Sequence, residues 1–256
     1  MMRRKLPILL MAVLASVASA YEDMSTETGP YTFTQTGSGS GLSRTVPRWT
    51  SVGATDLLMD DGGRLYKDFG AGYFDDFTIQ FVWQGATSGW AAWTGHNVGF
   101  ANEQNDYTAI VDAGDSIWVS FYLKETAGET AYITLKSVDD GGTPVTDTSD
   151  GTATITKGTV YYVTWTRSDT SMTVTIRTTS HTGEVVDTLN VNGVTTAMRW
   201  FYPVNTQTDG AVAPFAGYAE NYDLTAGGAE TYVGLLKQTL NSPVLHGDTL
   251  SGGLHE

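Results

Sequence analysis

The sequence predicts an all-β protein, a two-sheet antiparallel β-sandwich of jelly-roll type. Three observations carry that expectation. Charged residues make up only 16% of the 256 residues, well under the usual ~25%. The difference is filled by threonine and by 29 glycines; β-branched threonine favours strands and glycine favours turns. Finally, short runs of strict apolar/polar alternation recur from Tyr31 onward with turn residues between them, the pattern of half-buried strands in a sandwich.

The first element in order is an address. Residues 1–20 combine Arg3, Arg4 and Lys5 with an apolar stretch from Leu6 to Val17 and the small-residue triplet Ala18-Ser19-Ala20. This is the layout of a secretory signal peptide, with cleavage expected after Ala20. The apolar stretch is short for a bilayer span, and no later stretch has membrane length. The mature chain is therefore expected to be exported, to a cell surface, a periplasm or the extracellular space. A domain over 21–224 should follow, then an extension over 225–256.

Within that domain, Gly37-Ser38-Gly39-Ser40-Gly41 reads as a loop, because no strand–loop–helix context or lysine makes it a phosphate cradle. Phe77, Ile79, Phe81 and Trp83 alternate with Thr78, Gln80 and Val82. Ile117, Val119, Phe121 and Leu123 alternate with Trp118, Ser120, Tyr122 and Lys124. Tyr161, Val163 and Trp165 alternate with Tyr162, Thr164 and Thr166, and Ser168-Asp169-Thr170-Ser171 turns that run back into Val174 and Ile176. Two Asp-Asp-Gly-Gly segments, 60–63 and 139–142, are hairpin signals. No sustained helical period appears before residue 225. Beyond it, Leu235, Leu236 and Leu240 fit a short amphipathic helix, although Thr231-Tyr232-Val233 could equally begin a strand. The extension then reads as a strap across the sandwich or as an arm that docks a partner.

These segments also carry a resemblance. Asp56 to Tyr66 followed by Phe77-Thr78-Ile79-Gln80-Phe81-Val82-Trp83, then Val160 to Arg167 turning into Thr173–Arg177, and finally Phe215-Ala216-Gly217-Tyr218-Ala219-Glu220-Asn221-Tyr222-Asp223-Leu224, resemble in order the strands of concanavalin A-like, laminin-G-like domains. The likeness spans residues 50–224. It implies two stacked antiparallel sheets with jelly-roll connections and recognition of carbohydrate or of another protein, while some members of that family cleave glycans.

Charge and composition exclude several functions. A net charge of −14 repels phosphate backbones and argues against nucleic acid as a partner. The absence of cysteine removes disulfides, thiolate metal sites and cysteine nucleophiles. No E-x-D-x-x-E run pairs carboxylates on one strand face, as retaining glycosidases of the resembled fold do. The R-x-E-x-R and Q-x-H patterns of its lyases, and the G-x-S-x-G of serine hydrolases, are also missing. Catalysis would therefore need a site assembled across distant strands.

Binding has better support. Seven Trp and 13 Tyr in a weakly charged chain suit sugar rings, whose C–H faces pack on aromatics while hydroxyls bond to amides and carboxylates. Trp83 and Trp165 share the phase of core residues. Trp118 and Tyr122 take the opposite phase, so they line an exposed sheet face or lie under a covering loop or the tail. Trp90, Trp93, His96 and Asn97 form a glycine-flanked cluster that presents sugar-binding groups or plugs the sandwich end. Trp200 and Tyr202 precede Pro203, which suggests a strand end or edge. For calcium, Asp60, Asp61, Asp139 and Asp140 are the candidate ligands, although their first reading is a turn. The expected function is a non-catalytic, lectin-like carbohydrate-binding module that needs no cofactor beyond a possible Ca2+. The alternative is a structural or adhesive surface protein that contacts itself or other proteins, and a polysaccharide-degrading enzyme ranks third.

Overall fold

The alternation becomes two seven-stranded antiparallel sheets in a computed structural model. It describes residues 31–34, 42–45, 48–51, 63–85, 94–124, 130–140, 142–148, 155–156, 158–193, 195–208 and 217–224. The expected signal peptide over 1–20 and extension over 225–256 lie outside the described residues. The strands are β1 (Thr32–Thr34), β2 (Leu42–Thr45), β3 (Arg48–Ser51), β4 (Arg64–Asp68), β5 (Phe77–Gly85), β6 (Thr94–Ala101) and β7 (Ser116–Lys124). Then follow β8 (Thr130–Val138), β9 (Val145–Thr148), β10 (Val160–Ser168), β11 (Ser171–Arg177), β12 (Val185–Asn192), β13 (Trp200–Thr208) and β14 (Gly217–Asp223).

Sheet A has the order β1-β4-β13-β6-β7-β8-β9, and sheet B the order β12-β11-β10-β5-β14-β3-β2. The Asp139–Gly142 turn joins paired strands β8 and β9, as its composition predicts. Asp169, in the left-handed region at φ 55°, makes the tight turn between β10 and β11.

The inner faces meet in one core. Val98, Phe100, Ile117, Val119 and Phe121 come from sheet A, and Ile79, Phe81, Trp83, Val163 and Trp165 from sheet B; all ten are fully buried. Trp83 stacks on Phe121 with centroids 4.3 Å apart, and Phe81 stacks on Tyr222 at 5.2 Å. At one end, buried Arg167 ties the sandwich together by donating to the carbonyls of Phe74, Thr196 and Asp169.

Pro203 corrects the edge expectation. β13 lies inside sheet A, between β4 and β6. A proline there would remove a ladder hydrogen bond, so the strand bulges around it. Phe201 pairs with Lys67 and Val204 with Leu65, while Tyr202 pairs with Gly99 and Asn205 with Asn97. Three steps on β13 therefore oppose two on each neighbour, which leaves one extra residue. The Pro203 carbonyl is taken up by the core, where the Tyr222 hydroxyl donates to it at 2.6 Å and His96 Nε2 approaches to 3.3 Å.

Candidate functional site

The two outer faces of the sandwich differ in chemistry. On sheet B, Thr78 pairs through hydroxyls with Thr166 at 3.2 Å, and the Gln80 amide donates to Thr164. These side chains are partly exposed, so they satisfy one another and meet water.

Sheet A presents three adjoining cross-strand rows on its outer face. One runs Tyr202–Gly99–Trp118–Lys136, the next Asn205–Asn97–Ser120–Thr134, and the third Gly95–Tyr122–Tyr132. Gly99 makes room for the indole beside it: a Cβ there would lie 2.1 Å from the Trp118 ring.

A short helix roofs the middle of this face. α1 (Tyr107–Ala113) begins at Asp106, whose carboxylate accepts from the Ala109 N–H at 2.8 Å, a standard N-cap. Tyr107 and Ile110 bury their side chains against Tyr66, Trp118 and Tyr202, and Trp200 and Val111 pack at the rim. The loop before α1 is fastened to the sheet. Tyr202 donates to the Glu103 carbonyl at 2.8 Å, Gln104 bonds the Tyr66 hydroxyl, and the Tyr107 N–H donates to Asn205 Oδ1 at 3.1 Å. Burial pushes the Tyr202 and Tyr107 phenols well above their ordinary range, and the neighbouring Tyr122 raises the Tyr107 phenol further.

Beneath and beside this roof runs a row of unsatisfied polar atoms. Arg64, opposite Asn205, extends the middle row across β4. Along it, Arg64 Nε, Asn205 Nδ2, Asn97 Oδ1 and Thr134 Oγ1 are buried without a hydrogen-bond partner. Ser120 completes the row with its hydroxyl near the Tyr107 phenol. A buried polar group without a partner costs about 1–3 kcal/mol. The same penalty repeated along one line of side chains marks a place that water or a ligand completes.

Past the roof the face opens. Tyr122 and Tyr132 stand opposite one another as a stacked pair with centroids 5.1 Å apart and planes at 28°. Both are partly exposed. Burial first, and then the Tyr122 neighbour, raises the Tyr132 phenol to about 12. Lys136 Nζ donates to the Tyr122 hydroxyl at 2.7 Å and to the Tyr107 hydroxyl at 2.9 Å. Its ammonium also lies 5.1 Å and 5.5 Å from the centroids of the same two rings. No carboxylate pairs with Lys136 among the described residues.

The residues singled out from sequence are distributed unevenly. His96 turns into the core, where Trp83 Nε1 donates to its Nδ1 at 3.0 Å; burial lowers its pKa to about 4. Asn97, Trp118 and Tyr202 do lie on the outer face, but fully buried under α1 and its loop. Tyr122 is partly exposed at the open end. Trp200 sits at the rim with the Arg199 guanidinium 5.2 Å from its ring, and Arg199 in turn pairs with Asp68 at 2.6 Å. Trp90, Trp93, Asp60 and Asp61 lie outside the described residues.

Asp139 and Asp140 are exposed in the β8–β9 turn, where Asp115 accepts the Asp140 N–H. No three acidic or histidine side chains converge on a common point among the described residues.

Sequence reasoning missed Tyr107, Asn205 and the β8 set Tyr132, Thr134 and Lys136. The last three alternate with Ile133 and Leu135, a period-2 signal as regular as that of β7. Among the described residues no helix is long and apolar enough to cross a membrane.

No family model matches the sequence, and no curated protein does. Solved structures match its fold. The VIP36 exoplasmic/lumenal domain, in a Ca2+/Man3GlcNAc-bound form, aligns with a TM-score of 0.52 at 10% identity, covering 80% of this chain and 88% of that one. A legume lectin-like domain from Entamoeba histolytica aligns at 0.50 with 8% identity over 75% and 88% of the two chains. Peanut lectin with a 9mer peptide aligns at 0.50 with 10% identity over 77% and 91%. The chain thus has the concanavalin A-like jelly-roll fold that its strand order resembles.

Proposed function

We propose that this concanavalin A-like jelly roll is an exported carbohydrate-binding module and that the sugar lies on the open end of the outer face of sheet A. The observation that carries the reading is the partly exposed Tyr122–Tyr132 stack with the Lys136 ammonium bonded to the Tyr122 hydroxyl beside it. A pyranose needs both: an aromatic surface for its C–H face and donors and acceptors for its hydroxyls. Three of the solved proteins with this fold are lectins or lectin-like by name, or were solved with an oligosaccharide bound. Export rests on the charge, length and small-residue order of residues 1–20.

A glycan array probed with the chain from Tyr21 onward tests the proposal. Tyr132→Ala is expected to weaken the best ligand about tenfold, the worth of one aromatic contact. Tyr162→Ala, on the outer face of sheet B, serves as the control and should bind like the parent. Loss of binding in the Tyr162 variant alone, or no glycan bound by the parent, would contradict the reading.

A further inference from the structure

The geometry points to an acidic sugar, a glycan whose residues carry carboxylates, with Lys136 as the anchor of the charged group. This rests on the glycan-binding reading above and deepens it.

The chain has 28 acidic and 14 basic side chains, so a cation at its surface has carboxylates to spare. Arg199 takes one, Asp68, in a two-point contact. Lys136 has none among the described residues; its nearest polar partners are two neutral phenols. Those phenols hold it in place. An ammonium has three N–H donors, and the oxygens of Tyr107 and Tyr122 accept two of them, which leaves one donor.

The surroundings match one chemical class. Thr134 stands between Tyr132 and Lys136 on the same strand face, with a hydroxyl that has no protein partner. The Tyr122–Tyr132 stack lies beside it. A fixed cation beside a partly exposed aromatic surface forms the recognition set of a uronic acid: the carboxylate on Lys136 and the ring on the tyrosines. A neutral sugar would leave the ammonium without a counter-charge among the described residues. The overall negative charge opposes the approach of a long polyanion. At physiological salt, screening acts over about 8 Å and leaves a direct, partly buried contact in force.

The test is calorimetric titration of the chain from Tyr21 onward with tetragalacturonate, with its fully methyl-esterified form, and with a dextran sulfate oligomer. Tetragalacturonate should bind 10- to 100-fold tighter than the ester, the range of a charge-assisted hydrogen bond. Lys136→Met should erase that ratio without abolishing ester binding, and Lys136→Arg should restore part of it. Equal affinity for acid and ester overturns this inference while leaving a glycan-binding protein. Tighter binding of the sulfate than of the uronate overturns the carboxylate assignment. If no glycan on the array and none of these three probes binds, the underlying reading falls as well. Should the Met variant fail to fold, the acid-to-ester ratio of the parent decides.

Discussion

The outer face of sheet B and the outer face of sheet A are built on the same strand geometry and the same alternation, yet they differ in their relation to water. On sheet B outward polar side chains bond one another across strands, Thr78 to Thr166, Gln80 to Thr164 and Thr173 to Asn190, and remain at least partly exposed. On sheet A the outward side chains Trp118, Tyr202, Asn97 and Asn205 are fully buried, while Tyr122, Tyr132 and Lys136 at the open end are partly exposed. A seven-residue helix and its leading loop cover the buried ones, and several polar atoms stay unpartnered. The difference shows that phase assigns a side chain to a face without deciding whether that face meets solvent.

Substitution of matched positions can break this comparison. Trp118 sits outside the main core by phase, but its indole is fully enclosed. Trp118→Ala is therefore expected to cost about 3–5 kcal/mol, the range for a large aromatic removed from a packed interior. Tyr162→Ala, on the partly exposed face of sheet B, should cost about 1 kcal/mol or less by comparison. Urea denaturation of both variants measures this, and equal losses would remove the distinction between the faces.

A second test contrasts the satisfied polar groups of the interior with the unsatisfied row. His96 is neutral and fully buried between Trp83 and Pro203, with a pKa lowered to about 4 by burial. Unfolded, it titrates near its ordinary 6.5. Between these values the unfolded chain binds the extra proton, so stability is full above pH 6.5 and falls as pH drops toward 4. The expected loss is about 3 kcal/mol, because each tenfold change in proton affinity is worth roughly 1.4 kcal/mol. His96→Gln should flatten that part of the pH profile in denaturant titrations, and an unchanged slope would show that other groups set it.

The smallest effects are the sharpest discriminators. Thr134→Val keeps the shape but removes an unpartnered buried hydroxyl, and it is expected to raise stability by about 1 kcal/mol. Thr166→Val removes a hydroxyl paired with Thr78, so it should lower stability by about 0.5–1 kcal/mol and leave binding unchanged. Asp106→Ala deletes the N-cap of α1, with an expected cost of about 1 kcal/mol. Faster amide exchange confined to residues 107–113 would check it.

Most of the sandwich is legible in the sequence because alternation is a local property that a buried face imposes on each strand. The runs at 77–83, 117–121 and 161–165 form parts of β5, β7 and β10 with the predicted faces inward. The helix is not legible, since seven residues complete only two turns and show no sustained period. That omission has consequences, because Tyr107 and Ile110 are what bury Trp118 and Tyr202. Pro203 misleads for a physical reason. Edge placement and a bulge both accommodate a missing N–H, and only the paired registers of β4 and β6 distinguish them. Proximity along the chain groups His96 with Trp90, Trp93 and Asn97 in a sugar-binding cluster, although it shares the strand phase of Val98 and Phe100 and so points inward. The polar row depends on register between strands distant in sequence, such as Asn205 against Asn97. No local pattern encodes that.

The most direct test of glycan binding on sheet A is hydrogen-exchange footprinting with the tightest ligand from the array. The expected footprint is added protection in β7, β8 and α1, over residues 107–136, with β10 and β11 unchanged. Protection confined to β10 and β11, on sheet B, would contradict the account.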